Sequence, residues 1–214
     1  MIKACIFDLD GVIVDTAQYH FMAWKRLAKE LGVELTEKEN ERLKGVSRIR
    51  SLEIILELGG IQLGNAEKER LAGKKNAWFV EYVHAMKPGE IFPGVKKLIL
   101  DLKNQGVRVA LASSSKNADT VIRQLKIEKE FEVVVDGKMV VHSKPDPEIF
   151  LLAAKRLGVE PPSCVVFEDA EAGVEAALRA GMKCVGVGSA EQLGNANLIV
   201  KRTADFDITK LNML

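Results

Sequence analysis

Five apolar runs of strand length recur along this chain, at residues 3–7, 107–112, 132–135, 164–167 and 183–187, with a shorter sixth at 198–200. Between the later runs the apolar positions change to helical spacing. In 95–104 they fall at Val95, Leu98, Ile99 and Leu102, after Pro93-Gly94 and before Gly106, which is helix punctuation at both ends. Segments 147–157 and 172–180 read the same way and stop at Gly158 and Gly181. Strand, helix, strand in succession predicts an α/β fold, a Rossmann-like parallel sheet with right-handed crossovers.

The stretch 16–87 breaks the alternation and holds no convincing strand. Residues 16–31 are amphipathic and stop at Gly32, and Thr36-Glu37-Lys38-Glu39 is a capping box that starts a second helix. Residues 47–58 form a third, stopped by Gly59-Gly60, and 66–85 carry one or two more. Lys87-Pro88-Gly89 and Phe92-Pro93-Gly94 mark the exit. The predicted organisation is a sheet domain of 1–15 and 88–214, interrupted after its first strand by a helical cap domain of 16–87. The chain crosses twice at one place, which makes a hinge.

At 47% hydrophobic and 29% charged, with a formal net charge of +1, the chain has ample core and no basic block to favour nucleic acid. No apolar run approaches the length that spans a bilayer, and the N-terminus meets Asp8 too early for a signal peptide. Cys5, Cys164 and Cys184 are odd in number, far apart, and in or beside strand-like runs. They read as buried thiols in a reducing compartment. The expectation is a cytoplasmic protein with neither a nucleic-acid nor a membrane partner.

Two of the apolar runs end abruptly in acid. Phe7 is followed by Asp8-Leu9-Asp10-Gly11, and Phe167 by Glu168-Asp169. Open α/β sheets bind ligands outside the carboxyl ends of their strands, so these four carboxylates are predicted to share one cleft. Two unit charges about 4 Å apart repel by roughly 4 kcal/mol at an effective dielectric near 20, so the cluster implies a cation. All-oxygen ligation suits Mg²⁺, which keeps water and phosphate oxygens in its shell. Asp8 and Asp10, two apart on a strand, point the same way. One can attack phosphorus while the other shuttles a proton. Alone, the pair reads equally well as a strand end with helix-capping acids.

Ser113 ends the second run and opens Ser113-Ser114-Ser115-Lys116-Asn117. Hydroxyls and free N–H groups at a helix start suit phosphate, although Ser113 by itself is better read as a helix cap. Ser143-Lys144-Pro145-Asp146-Pro147 holds Lys144 close to the sheet edge, where a fixed ammonium can neutralise a transferring phosphoryl group. Taken in order, Asp8-x-Asp10, Ser113, Lys144 and Glu168-Asp169 each follow a strand of one sheet. In this the chain resembles the haloacid dehalogenase superfamily over essentially its whole length, inserted cap included. The resemblance implies Asp8 as nucleophile and Asp10 as general acid/base, with Ser113 and Lys144 on the transferring phosphate. It also implies Mg²⁺ on the Asp8 side chain, the Asp10 carbonyl and Asp169, with Glu168 in or near its shell.

A phosphoenzyme gives its phosphoryl group to water or to a second hydroxyl of a bound sugar phosphate. The second fate needs another phosphate site and a lid that excludes water. Thr16, His20 and Trp24, spaced i, i+4, i+8, share one helical face. Trp24 offers a platform for a sugar ring and His20 can hydrogen-bond Asp10, with the cap core as the alternative place for both. Leu43-Lys44-Gly45-Val46-Ser47-Arg48 puts Gly45, Val46 and Ser47 in a turn before Arg48, whose guanidinium can grip a phosphate bidentately. A solvated loop arginine is the alternative.

This segment, the run 16–24, Lys74-Lys75-Asn76 and the loop 112–117 resemble motifs of β-phosphoglucomutases. That resemblance implies Lys75 aimed into the cleft, and Ser115, Lys116 and Asn117 joining Arg48 at the non-transferring phosphate. Ser114 departs from the family loop, where alanine is expected, but its backbone N–H serves equally. Residues 136–142 do not match. The implied activity is the interconversion of β-glucose 1-phosphate and glucose 6-phosphate through β-glucose 1,6-bisphosphate, by a monomer. A Mg²⁺-dependent sugar-phosphate phosphatase, and behind it a non-catalytic phosphosugar-binding regulator, are the alternatives on the same fold.

Overall fold

The computed structural model describes residues 1–43 and 46–214, Asn212 by its backbone alone. After β1 (Ala4–Phe7) come four helices: α1 (Ala17–Glu30), α2 (Glu37–Asn40), α3 (Arg48–Leu58) and α4 (Asn65–Ala85). The remainder alternates: α5 (Val95–Asn104), β2 (Arg108–Ser113), α6 (Ala118–Gln124), β3 (Val133–Asp136), α7 (Glu148–Leu157), β4 (Cys164–Glu168), α8 (Glu171–Arg179), β5 (Lys183–Val187), α9 (Ala190–Leu193) and β6 (Leu198–Val200). Among the described residues the strands form one sheet in the order β3-β2-β1-β4-β5-β6, every pairing parallel. The α/β class read from the alternation is the class observed. Only α9 had no sequence signal, because a single turn is too short for periodicity to register.

Both faces of the sheet are covered, which is why its strands are apolar throughout rather than alternating. Cys5 and Phe7 of β1 and Val165 and Phe167 of β4 pack on one face with Val95, Leu98, Ile99 and Leu102 of α5. Ala4, Ile6, Cys164 and Val166 pack on the other with Ile149, Phe150, Ala153 and Leu157 of α7. Phe7 and Phe167 are register partners whose rings stack with centroids 4.5 Å apart. The Asp8 N–H then donates to the Phe167 carbonyl at 3.0 Å. This bond sets Asp8 beside Glu168 as both strands leave the sheet, at the point where the strand order reverses.

In the insertion, α1 buries Ala23, Trp24, Leu27 and Ala28, and α4 buries Leu71, Ala72, Lys75, Trp78, Phe79 and Val83. α4 is one continuous helix. The capping box forms as expected: Thr36 Oγ1 accepts from the Glu39 N–H at 3.3 Å, and Glu39 Oε2 accepts from the Thr36 N–H at 2.8 Å. At the neck, Val14 bridges Ile91 antiparallel and the Phe92 N–H donates to the Ile13 carbonyl at 2.9 Å. Cys5, Cys164 and Cys184 are free and buried, and burial pushes each thiol up, Cys164 to about 11. No described helix is long and apolar enough to cross a membrane.

Candidate active site

At the end of β1 the Asp8 carboxylate is fixed from two sides. Oδ1 accepts from Lys144 Nζ at 2.6 Å, and Oδ2 accepts from the Asp10 N–H at 3.0 Å. Lys144 also donates to Glu168 Oε1, so one buried ammonium joins the acids of β1 and β4. Burial raises the Asp8 acid and Lys144 holds it back, leaving it at about 6. Burial, then the Asp8 charge, lift Asp10 further, to about 8. For Lys144 burial alone would lower the value, but Asp8 and Glu168 together raise it above the ordinary lysine range, so it stays charged.

The chain turns at once after Asp10. Gly11 has φ +79, and a Cβ there would lie 1.9 Å from Asp169 Oδ2. Only glycine lets the first loop and the Asp169 carboxylate approach this closely. Asp10 Oδ1 is buried with no hydrogen-bond partner among the described residues. The Asp8 and Asp169 carboxylates line the same cavity as Asp10, and an all-oxygen donor set of this kind fits a hard divalent cation. On the neighbouring strand, Ser113 ends β2 nearly sealed from solvent, its Oγ accepting from the Ser115 N–H at 3.1 Å.

The insertion faces these groups with cations. Lys75 lies in the apolar stripe of α4, with Nζ 2.7 Å from His20 Nδ1 and 4.6 Å from the centroid of Trp24. Burial, then Arg48, press Lys75 well below the ordinary lysine value, against the pull of Asp10. Burial, then Lys75, hold His20 well below its own usual value. It is therefore neutral, with Nδ1 in hydrogen-bond contact with Lys75. Arg48, the first residue of α3, is half-buried and makes no ion pair among the described residues. The two sides enclose about 820 Å³ of empty space, part of it open to solvent.

A family model described as haloacid dehalogenase-like hydrolase matches residues 2–181. The chain belongs to that family. Within the haloacid dehalogenase-like hydrolases it is 45% identical over 212 residues to β-phosphoglucomutase of Bacillus subtilis strain 168, covering 98% of this chain and 94% of that one. It is 38% identical to a phosphorylated carbohydrates phosphatase of Thermotoga maritima, over 85% of this chain and 82% of the other. A crystal structure of β-phosphoglucomutase from Clostridium difficile superposes with a TM-score of 0.96 at 43% identity, over 100% of this chain and 96% of that one.

Of the residues singled out in the sequence, Asp8, Asp10, His20, Trp24, Val46, Arg48, Lys75, Ser113, Ser114, Ser115, Lys116, Glu168 and Asp169 line one cavity. Lys144 reaches it through Asp8, from the loop after β3 to the ends of β1 and β4, and not at the sheet edge. Several expectations need correction. Glu168, expected in or near the shell of a metal, is bonded within the protein: Oε1 accepts from Lys144, Oε2 accepts from the Ala170 N–H at 2.9 Å, and the side chain lies where Gly173 leaves room. It is the counter-ion of Lys144. His20 bonds Lys75 rather than Asp10.

Thr16 is fully buried at the start of α1, outside the cavity lining, and its Oγ1 has no partner among the described residues. Ser47 caps α3 by accepting from the Arg50 N–H at 3.2 Å, and lines an adjoining cleft that shares Arg48 and Lys116 with the cavity. Asn117 turns its amide to Asn76. Gly45 lies outside the described residues. Asn40, Leu43 and Ser51 also line the cavity and were not anticipated. Ser51 follows Ser47 by one helical turn, the only sequence sign of its position.

Proposed function

We propose that this chain interconverts β-glucose 1-phosphate and glucose 6-phosphate through β-glucose 1,6-bisphosphate, the reaction of a β-phosphoglucomutase. One observation carries the reading: Arg48, with no ion-pair partner among the described residues, lines the same cavity as the buried acid set around Asp8. A phosphatase needs one phosphate position, whereas a mutase needs two with the sugar between them. The Bacillus subtilis relative supports the same reading. Residues 16–87 would act as a cap over a core of 1–15 and 88–214. The buried free thiols support a reducing, cytoplasmic setting, and the same reading takes the enzyme as a monomer.

The acidities divide the labour. Burial and the Asp8 charge lift Asp10 further than Asp8, which Lys144 holds back, so Asp8 is the first of the two to ionise. That is the split a nucleophile and a general acid need. Mg²⁺, held by the Asp8 carboxylate, the Asp10 carbonyl and Asp169, would supply positive charge that offsets repulsion between Asp8 and the phosphoryl oxygens. An Asp8 oxygen attacks phosphorus of the bisphosphate and an aspartyl-phosphate forms as the phosphorus–sugar oxygen bond breaks. Asp10 protonates the departing sugar oxygen. In the return step Asp10 takes the proton from the attacking hydroxyl of a new sugar phosphate. Ser113 and Lys144 hold the transferring group, while Arg48, Ser115 and Lys116 hold the other phosphate.

The test is incubation with β-glucose 1-phosphate, Mg²⁺ and a trace of the bisphosphate. Accumulating glucose 6-phosphate supports the mutase. Accumulating free phosphate alone favours the second reading, a sugar-phosphate phosphatase, for which the Thermotoga maritima relative speaks. EDTA should stop turnover and Mg²⁺ restore it.

A further inference from the structure

The Asn117 amide, expected on a phosphate, has a different partner. Its Nδ2 donates to Asn76 Oδ1 at 2.7 Å, across 41 residues of sequence. Asn76 stands on α4 in the insertion, directly after Lys75, whose amine lies against His20 and Trp24. Asn117 stands on the sheet side, directly before α6, and closes the hydroxyl loop. Its N–H donates to Ser115 Oγ at 3.3 Å, and the Ser115 N–H donates to Ser113 Oγ at 3.1 Å. At the other end of α6, Gln124 Nε2 donates to the His84 and Met86 carbonyls at 3.2 and 3.0 Å. α6 is therefore tied to α4 at both ends, by an amide pair next in sequence to the cavity-lining Lys75 and Lys116 and by backbone acceptors near the neck.

We infer that Asn76 is a positioning residue: its bond to Asn117 fixes the loop 113–117 against α4, so that an anion held by the loop and the amine of Lys75 are set as one unit. This rests on the reading that the loop takes a substrate phosphate. The Gln124 bonds keep α6 packed when the amide pair is removed, so the loss stays local to the cavity end. One neutral hydrogen bond of this kind shifts an equilibrium about fivefold. Substrate can still draw the loop into place at saturation, so the effect belongs in KM.

In Asn76→Ala the KM for β-glucose 1-phosphate should rise about fivefold with kcat within about twofold. Asn76→Asp, which keeps the acceptor oxygen, should restore KM. The rise should vanish when Asn76→Ala is made in the Asn117→Ala background. An unchanged KM, or an undiminished rise in that background, overturns the proposal. Amide hydrogen exchange of the free protein gives a readout that needs no substrate. Exchange at 113–117 should be about fivefold faster in Asn76→Ala with the end of α6 unaffected, and equal exchange overturns the proposal. A wild-type chain that forms no glucose 6-phosphate overturns the mutase reading and leaves the exchange comparison to decide the role of Asn76.

Discussion

On the sheet side of the cavity, Asp8, Lys144 and Glu168 are nearly sealed from water and bonded to one another. On the insertion side, Arg48 is half-buried without an ion pair among the described residues, and Lys75 rests on a neutral imidazole and an aromatic face. The acids of one side share a bonded ammonium, whereas Arg48 and Lys75 on the other bond no carboxylate among the described residues. The difference separates two tasks. Groups that react are held by their neighbours before substrate arrives, so no reorganisation is needed at the moment of transfer. Groups that recognise are left without a bonded carboxylate, a place that a phosphate can take.

The largest effect expected from this contrast is at the nucleophile. Asp8→Asn should lower both glucose 6-phosphate formation and phosphate release by at least about 10⁴-fold; appreciable residual turnover in a steady-state assay would remove Asp8 from that role. Next comes stability. Lys144→Ala leaves Asp8 and Glu168 buried without their shared cation and should cost about 3–5 kcal/mol in urea unfolding. Arg48→Ala should change stability by only about 0.5 kcal/mol. Equal losses would erase the distinction between the two sides.

Arg48→Ala should instead slow the mutase reaction about 10- to 100-fold, as expected for a lost charge-assisted contact. Hydrolysis of a small phosphomonoester should suffer far less, and parallel losses would show that Arg48 does not grip a distal phosphate. The smallest effect is a pH dependence. Asp10 is held at about 8 against an ordinary 3.8. The folded protein therefore keeps a proton that the unfolded chain releases near pH 4, and the contribution of Asp10 to stability falls as pH rises from about 4 to about 8. Asp10→Asn removes that loss. In EDTA its melting temperature relative to wild type should gain about 3 °C or more between about pH 5 and about pH 8. A gap that does not widen would contradict the raised acidity constant.

What could be read in advance follows the same division. The sheet side announces itself locally, because an apolar run that stops at an acid is both the strand and its functional end, and the Phe7–Phe167 register brings the two ends together. Arg48 and Ser115 were legible as motif residues. The pairings His20–Lys75, Asn76–Asn117 and Lys144–Glu168 were not. Periodicity tells which face of a helix is buried but not which neighbour covers it. Lys75 carried one usable sign: it falls between Leu71 and Phe79 at helical spacing, a lysine on an apolar stripe. Glu168 was legible as an acid of the site, but the ammonium of Lys144 that it accepts from was not.

The buried sulfurs carry a practical consequence. Cys5, Cys164 and Cys184 lie inside the fold with their thiols pushed toward the protonated form, so alkylating reagents find no thiolate in the native state. One cysteine engineered on the outer surface of α1 or α4 would accept a fluorophore or spin label against a silent background, and movement of the insertion could be timed directly. In the unlabelled chain, slow uptake of the same reagent by the three native sulfurs would clock the opening of the whole molecule.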